Sequence, residues 1–315
     1  MLRFQPLTLG IKKLADSYTF KYGEGSCQHS FVSSWCLQNK YGDMFCEHEG
    51  FLYTLRSKLC TPNERIYLFP HGDRSDLEAV RNAVQNVIDD AHENNSRVKF
   101  QTVTESAKDI ITSLFPGKFT AEYSRDLSEY IYRTEHMYIP ENMLSPSAPN
   151  PMRKRRGVRT FCKDYDGRFT VTKILPEHID VIREFQDEWL DEKLMYDDSP
   201  VIERQLEEEN FSVQRALNDF FALGLSGVAV FIDGELKGYA YGSKLSDECF
   251  DGAVGKGSRL IPNISPFLKH ELVRLCCEDF RYVNLEEDLG VKGLREMKTE
   301  YMPEYMIEKY TVTEI

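Results

Sequence analysis

The chain has 315 residues, a net charge of −12 and 41% hydrophobic residues, among them 19 Phe and 17 Tyr. That content excludes a disordered chain, and the length leaves room for two domains with a core each. The acidic balance excludes a general nucleic-acid binder, leaving only local basic patches for that role, and no apolar run approaches the ~20 residues of a membrane span. The start, Met1-Leu-Arg-Phe-Gln-Pro6, lacks the pattern of a secretory signal, so a soluble cytoplasmic protein is expected. The eight cysteines contain no Cys-x-x-Cys pair. Around Cys46-Glu-His48 nothing completes four ligands, so reduced, buried thiols and no metal site are expected.

In chain order, residues 3–7 read as a strand, and Thr8 reads as the N-cap of a helix to about Tyr18. Tyr22-Gly-Glu-Gly25 breaks that helix. Residues 31–41 are a second element, helical or extended. Residues 44–48 and 51–57 read as a hairpin around Glu49-Gly50, and residues 65–70 as a buried strand before a loop at His71-Gly-Asp-Arg74. Residues 75–91 are a helix with Leu77, Val80, Val84, Val87, Ile88 and Ala91 on one side. A strand (97–103), a helix (105–114) and a strand (119–123) follow, and residues 127–133 extend the same sheet. Pro140, Pro146, Pro149 and Pro151 then mark a linker, which runs into the basic segment Arg153-Lys-Arg-Arg-Gly-Val-Arg159 at the head of a helix. Domains are expected at 1–140 and 161–315, with a connector at 141–160.

In the second half, residues 168–175 are a strand and residues 176–195 a helix with Ile179, Ile182, Phe185 and Trp189 inward. Residues 201–221 are another helix, and the acids between Asp187 and Glu209 read as its solvated surface. Residues 227–232 and 236–244 pair around Asp233-Gly234, a two-residue turn that suits positive φ at both positions. Residues 248–254 are a strand, Gly255-Lys-Gly-Ser-Arg259 a loop and residues 261–277 a helix. Residues 281–284 are a strand, Glu286-Glu287-Asp288 a loop that Gly290 bends, and residues 291–300 a helix stopped by Pro303. Leu294, Met297 and Tyr301 share its inner face, with Arg295 and Lys298 on a neighbouring one. Residues 305–312 are the last strand. The halves repeat one order of elements without repeating residues. The fold class is α/β (α+β), with mixed central sheets flanked by helices, an order that matches two tandem acyl-CoA N-acyltransferase (GNAT-like) domains. This is an analogy of fold and leaves the chemistry open.

Asn284, Glu286-Glu287-Asp288-x-Gly290, Gly293-Leu294-Arg295, Lys298 and Tyr301-x-Pro303 resemble the C-terminal signature of a bacterial family. That family shares its domain with the catalytic C-terminal half of phosphatidylglycerol lysyltransferase, and its stand-alone members are tandem GNAT folds. The Phe-x-Pro-Leu start, Tyr130-Ile-Tyr132 and the basic segment up to Phe161 fall in family order, so the resemblance spans the chain. It implies transfer of an acyl or aminoacyl group, from acyl-CoA or aminoacyl-tRNA, to an amine or hydroxyl on a small-molecule or lipid acceptor, with no tightly bound cofactor. The chain departs from the family at three places. Lys154-Arg155-Arg156 stands where relatives read Lys-Arg-Asn, Gly255 replaces a Glu before Lys256, and Leu285 replaces an Arg after Asn284. These departures keep open a second reading: a non-catalytic module that binds an anionic ligand or a partner protein.

The candidate site follows from what acyl transfer needs: a deprotonated acceptor, a stabilised oxyanion and a protonated leaving group. Gly255, Lys256, Gly257, Ser258 and Arg259 are the candidate phosphate loop, where glycines and a helix start admit an anion. Glu286, Glu287 and Asp288 are candidate bases or amine ligands, and Tyr301 is a candidate acid. Asn284, Arg295, Lys298, Arg155 and Arg156 are candidate substrate contacts, the last two for the phosphates of tRNA or CoA or for anionic lipid. Each also has a structural reading. Asp288 can cap the last helix, an acid can pair with Arg295, and Tyr301 can be a core tyrosine.

Overall fold

A computed structural model describes residues 2–139, 155–195 and 200–315 of the chain. The proline-rich part of the expected connector, residues 140–154, lies outside them. In the first half, β1 (Gln5–Pro6) leads to α1 (Lys12–Tyr22), α2 (Phe31–Cys36) and α3 (Gln38–Tyr41). Thr8 makes no side-chain cap, and a 3₁₀ turn at Leu9–Ile11 precedes α1, so the helix starts later than expected. A hairpin follows, β2 (Asp43–His48) and β3 (Phe51–Arg56), with Glu49 and Gly50 both at positive φ. Next come β4 (Glu64–Tyr67), β5 (His71–Gly72), α4 (Leu77–Glu93), β6 (Arg97–Thr104), α5 (Glu105–Leu114), β7 (Phe119–Tyr123) and β8 (Glu129–Arg133). The Asp76 carboxylate accepts the Glu78 and Ala79 N–H groups, which sets the start of α4. Val80, Val84, Val87 and Ile88 of α4 are buried with Tyr67, Phe100 and Ile111, while Leu77, expected with them, is exposed in the first turn.

The second half holds α6, preceded by no other described element, at Arg155–Asp164, then β9 (Phe169–Lys173), α7 (Ile179–Met195), α8 (Pro200–Asn218), β10 (Ser226–Ile232) and β11 (Glu235–Lys244). It closes with β12 (Cys249–Gly257), α9 (Ile264–Cys276), β13 (Tyr282–Asn284), α10 (Lys292–Glu300), β14 (Tyr305–Ile307) and β15 (Lys309–Glu314). The Asp233-Gly234 turn has both residues at positive φ, as the sequence requires. Two expectations change here. Gly255, Lys256 and Gly257 are not a loop, because β12 continues to Gly257 paired with β11. The last strand is two strands, β14 and β15, which belong to different sheets.

Among the described residues, one sheet runs β1-β2-β3-β4-β6-β15-β7, with β5 on β3, and the other β14-β8-β13-β12-β11-β10-β9. The sequence halves therefore exchange strands. The C-terminal β15 is antiparallel to both β6 and β7, and β8 is antiparallel to β13. One compact unit holds the residues up to Glu129 with Glu287–Lys292 and Met306–Ile315; the other holds Tyr130–Glu286 and Gly293–Tyr305. The expectation that residues 127–133 extend the first sheet, with one cut near 141–160, is corrected accordingly. Hydrophobic pattern identifies a strand but not the sheet that accepts it.

In the first unit a buried ion pair marks both exchange points. Lys309 Nζ lies 2.9 Å from Glu129 Oε1, and both side chains are fully buried. Glu129 also accepts the Ser26 hydroxyl (2.7 Å) and the Cys27 N–H (3.0 Å), and Lys309 donates to Ser26 Oγ (2.5 Å). We expect Lys309→Met to lower stability in urea by about 3–5 kcal/mol, because the carboxylate stays buried without its cation; a loss below about 1 kcal/mol would show the pair to be dispensable.

The same unit buries His71, whose ring nitrogens have no hydrogen-bond partner among the described residues. Burial, then the nearby Arg74 charge, hold its pKa down to about 3. Its folded pKa is below the unfolded value of about 6.5, so the unfolded state binds more protons between these limits. Stability should therefore be full above about pH 6.5 and fall toward pH 3, by at most about 1.4 kcal/mol per pH unit from this group. His71→Asn should flatten that slope in urea titrations at pH 4.5 and 7, and an unchanged slope would contradict the assignment.

Candidate active site in the second unit

The site begins where two neighbouring strands part. β12 and β13 are parallel and pair at Cys249↔Tyr282, Phe250↔Val283 and Asp251↔Asn284, and there the pairing ends. β12 goes on to Gly257 with β11 alone, while the chain after Asn284 bends to β8. The Leu285 N–H donates to Tyr130 O (3.0 Å), and Asn284 Oδ1 accepts the Glu286 N–H (2.7 Å) with Glu286 at φ 60°. The parallel pair therefore splits at Asp251 and Asn284.

The faces of this sheet follow from register. Tyr239 and Lys256 are partners and face α7 and α8. Tyr239 Oη donates to Gln186 Oε1 (2.6 Å), and Lys256 Nζ lies 2.5 Å from Glu209 Oε1 and 3.9 Å from the centroid of the Trp189 ring. Their neighbours Gly238 and Gly257 face α9. A Cβ on Gly257 would come within 2.6 Å of Ile264 Cγ2, and one on Gly238 within 2.8 Å of Leu268 Cδ1. These glycines let α9 pack close against the sheet. The segment expected as a loop is thus the end of a strand: Lys256 is a buried cation held by Glu209 and Trp189, Gly255 lies exposed in β12, the Ser258 N–H bonds to Lys237 O (2.9 Å), and Arg259 is exposed beyond the strand.

Between the pairs Tyr241↔Val254 and Ser243↔Asp251, β12 takes three steps (254 to 251) where β11 takes two (241 to 243), a bulge at Gly252-Ala253. Opposite it only glycine fits, since a Cβ on Gly242 would lie 1.6 Å from Asp251 O. Register partners share a face, so Ser243, Asp251 and Asn284 form one buried polar rung on the α7 side of the sheet, at the split. The Ser243 hydroxyl has no hydrogen-bond partner among the described residues, and an oxygen of Glu286 lies within 4.8 Å of one of Asp251. Sequence reasoning missed Ser243 and Asp251. The signal was a glycine beside each, Gly242 and Gly252, inside strands that otherwise read as core.

On the α9 side a cleft of about 500 Å³ opens among α6, the start of α9 and the end of α10. Arg156 and Gly157 of α6, Asn263, Lys269 of α9, and Met297 and Tyr301 line it. Gly157 permits the close crossing, since a Cβ there would meet Asn263 Oδ1 at 3.1 Å and Pro266 Cγ at 3.2 Å. Phe161 stacks on Phe267 (4.0 Å between centroids) and fixes α6 on α9. Burial, reinforced by the charge of Lys298, brings the Lys269 ammonium down to about 8. Burial also pushes the Tyr301 hydroxyl up, so it keeps its proton. Tyr132 of β8 supports this wall: its ring meets Tyr301 edge-on, and its hydroxyl donates to Lys298 O (2.7 Å).

The expected residues therefore disperse. Tyr301 and Arg156 share the cleft, and Asn284 and Glu286 share the split with Asp251. Lys298 is buried on the inner face of α10, its Nζ 5.8 Å from the Tyr130 ring centroid, while Leu294, expected inside, is exposed. Arg295 is half-buried on α10 and Arg155 is exposed on α6. Glu287 and Asp288 belong to the first unit. Asp288 is fully buried there, accepting from Arg125 Nη1 (3.1 Å) and the Gly290 N–H (2.9 Å), and Cys27 Sγ lies 3.9 Å from Glu287 Oε2. Asp288 binds the Gly290 N–H ahead of α10, which begins at Lys292.

A family model described as phosphatidylglycerol lysyltransferase, C-terminal, matches residues 20–313. No curated protein sequence matches. Among solved structures, a conserved protein of unknown function from Bacteroides thetaiotaomicron is 22% identical, with a TM-score of 0.87 over 100% of both chains. The C-terminal domain of a putative lysylphosphatidylglycerol synthetase from Agrobacterium fabrum is 13% identical, with a TM-score of 0.64 over 97% of this chain and 92% of that one. A tandem GNAT protein from the clavulanic acid biosynthesis pathway is 11% identical, with a TM-score of 0.50 over 100% and 98%. Likenesses at these identities are likenesses of fold. The chain belongs to the family of the phosphatidylglycerol lysyltransferase C-terminal domain and carries a tandem GNAT-like fold.

Proposed function

We propose that the second unit transfers an acyl or aminoacyl group, from acyl-CoA or aminoacyl-tRNA, to an amine or hydroxyl acceptor. One observation carries this reading: β12 and β13 part after Asp251 and Asn284, and α9, which packs on β12, starts at a cleft that holds two cations. Beyond Asp251, one edge of β12 has no strand partner among the described residues, which suits an extended donor arm. The donor's anionic groups would lie in the cleft against Arg156, Lys269 and the first turn of α9, whose leading N–H groups have no partner within the helix. The acceptor would approach the rung on the α7 side. There Asp251 takes the acceptor's proton as the new bond to the acyl carbon forms, with Ser243 hydrogen-bonding the acceptor. The donor's C–S or C–O bond breaks, and Tyr301 gives the leaving atom its proton.

Binding is tested by thermal shift with acetyl-CoA, a charged tRNA and inorganic pyrophosphate. Saturation at about 100 times Kd should add about 2.7 kcal/mol of stability. Lys269 is cationic below about pH 8 and neutral above, so affinity should fall as pH rises through 8, and Lys269→Arg should abolish that fall. No shift with any of the three would end the donor assignment. Asp251→Asn should keep the donor-induced shift but slow release of CoA or tRNA to an added amine or lipid acceptor by roughly 100-fold or more. A variant that turns over at the wild-type rate would remove Asp251 from the chemistry.

A further inference from the structure

We propose that the first unit holds a small-molecule site of its own, a cleft for a free α-amino acid with an apolar side chain. The cleft, of about 460 Å³, lies between α1 and the β1–β2 edge of the first sheet, within the size range of small-ligand sites. It belongs to one unit throughout and shares no residue with the cleft of the second. Its floor follows from two periodicities. Ile11, Leu14, Ala15 and Tyr18 have the i, i+3, i+4, i+7 spacing of one helix face. Tyr18 Oη donates to Glu47 Oε1 (3.2 Å), so this face meets β2. Glu47 and Leu52 are register partners in the β2–β3 hairpin, and Phe45 stands two residues from Glu47, so all three share the face that α1 covers. Phe45 and Leu52 are buried there, but Leu14 is left 44% exposed, and the apolar floor is not closed over.

Charge selects the occupant. The pairing of β1 with β2 is Gln5↔Phe45 and Pro6↔Met44. Carried one pleat further, the same register sets Arg3 opposite Glu47, and opposite charges on facing strands ordinarily close into a pair. Here the ladder stops at Gln5. Among the described residues neither Arg3 nor Glu47 makes an ion pair, and both line the cleft. A guanidinium and a carboxylate that do not neutralise each other thus flank an apolar floor. A guanidinium takes a carboxylate through two parallel N–H···O bonds, a carboxylate takes an ammonium, and the floor takes an apolar body. An α-amino acid carries those three groups on one carbon. An aliphatic acid would leave its carboxylate facing Glu47 with no ammonium between them, and an aliphatic amine would leave Arg3 without an anion, so each meets an unmatched charge. Glycine brings both charges and nothing for the floor.

Isothermal titration calorimetry of the full chain with L-leucine tests this directly. We expect a single site, with binding weaker by about tenfold or more for leucinamide, which lacks the carboxylate, for isocaproate, which lacks the ammonium, and for glycine, which lacks the side chain. Arg3→Ala and Glu47→Gln should each weaken leucine binding about tenfold with an unchanged melting temperature, since both residues are exposed and a glutamine keeps an oxygen for Tyr18. Arg3→Ala should also remove the preference for leucine over leucinamide. Absence of leucine binding at millimolar concentration overturns the proposal. So does binding that both variants retain, or glycine or isocaproate binding as tightly as leucine. Arg156→Ala, in the cleft of the second unit, should leave leucine binding unchanged; a loss there would move the ligand to that cleft and overturn the assignment. No donor or acceptor is present in these titrations, so this site and the transferase reading can fail separately.

Discussion

The buried Lys309–Glu129 pair is the interaction on which the arrangement of strands depends. Glu129 is the last residue of the first unit before the chain enters the other sheet, and Lys309 opens the strand that brings it back. Two charges with no exposure are costly unless each finds every partner it needs. Here the carboxylate accepts from Lys309, Ser26 and the Cys27 N–H, and the ammonium donates to Glu129 and Ser26. A slipped register for β15 would leave one of these charges unmatched. The pair thus acts less as a source of stability than as a condition on which strand goes where.

The exchange has a consequence for the site. β8, from the first half of the sequence, lies between β13 and β14, and its Tyr130 and Tyr132 meet the underside of α10. The wall that carries Tyr301 is therefore built partly from residues about 170 positions upstream. On the other side of the split the same economy of space governs glycines. Gly238 and Gly257 let α9 sit close to the sheet, Gly242 lets the β12 bulge form, and Gly157 lets α6 cross the start of α9. Of these four glycines, Gly157 lines the α9 cleft itself, and the other three set how closely the helix and strands pack.

Much of this was legible from sequence. The Asp233-Gly234 hairpin, the periodicity of α4 and the strand–loop–helix from Tyr282 to Glu300 rest on local chemistry, and each formed close to where the pattern placed it. The Asn284 to Pro303 signature pointed to the family that the match over residues 20–313 establishes. The errors share one cause. Gly255-Lys-Gly reads as a loop because glycines flank a cation, but strand pairing with Tyr239 and a partner carboxylate on α8 carry that segment in extended form. Three consecutive acids read as one cluster, but Asp288 turns to Arg125 while Glu286 stays by Asp251.

The sequence by itself determined most of the strands and helices, the fold class and the family, because these follow from periodicity, turn residues and a contiguous motif, all short-range along the chain. Only the tertiary structure decided which sheet receives β8 and β15, which face Lys256 takes, and that Ser243, Asp251 and Asn284 share a rung. Those outcomes depend on register between strands far apart in sequence. A shift of one residue reverses every side chain, and no local pattern records it.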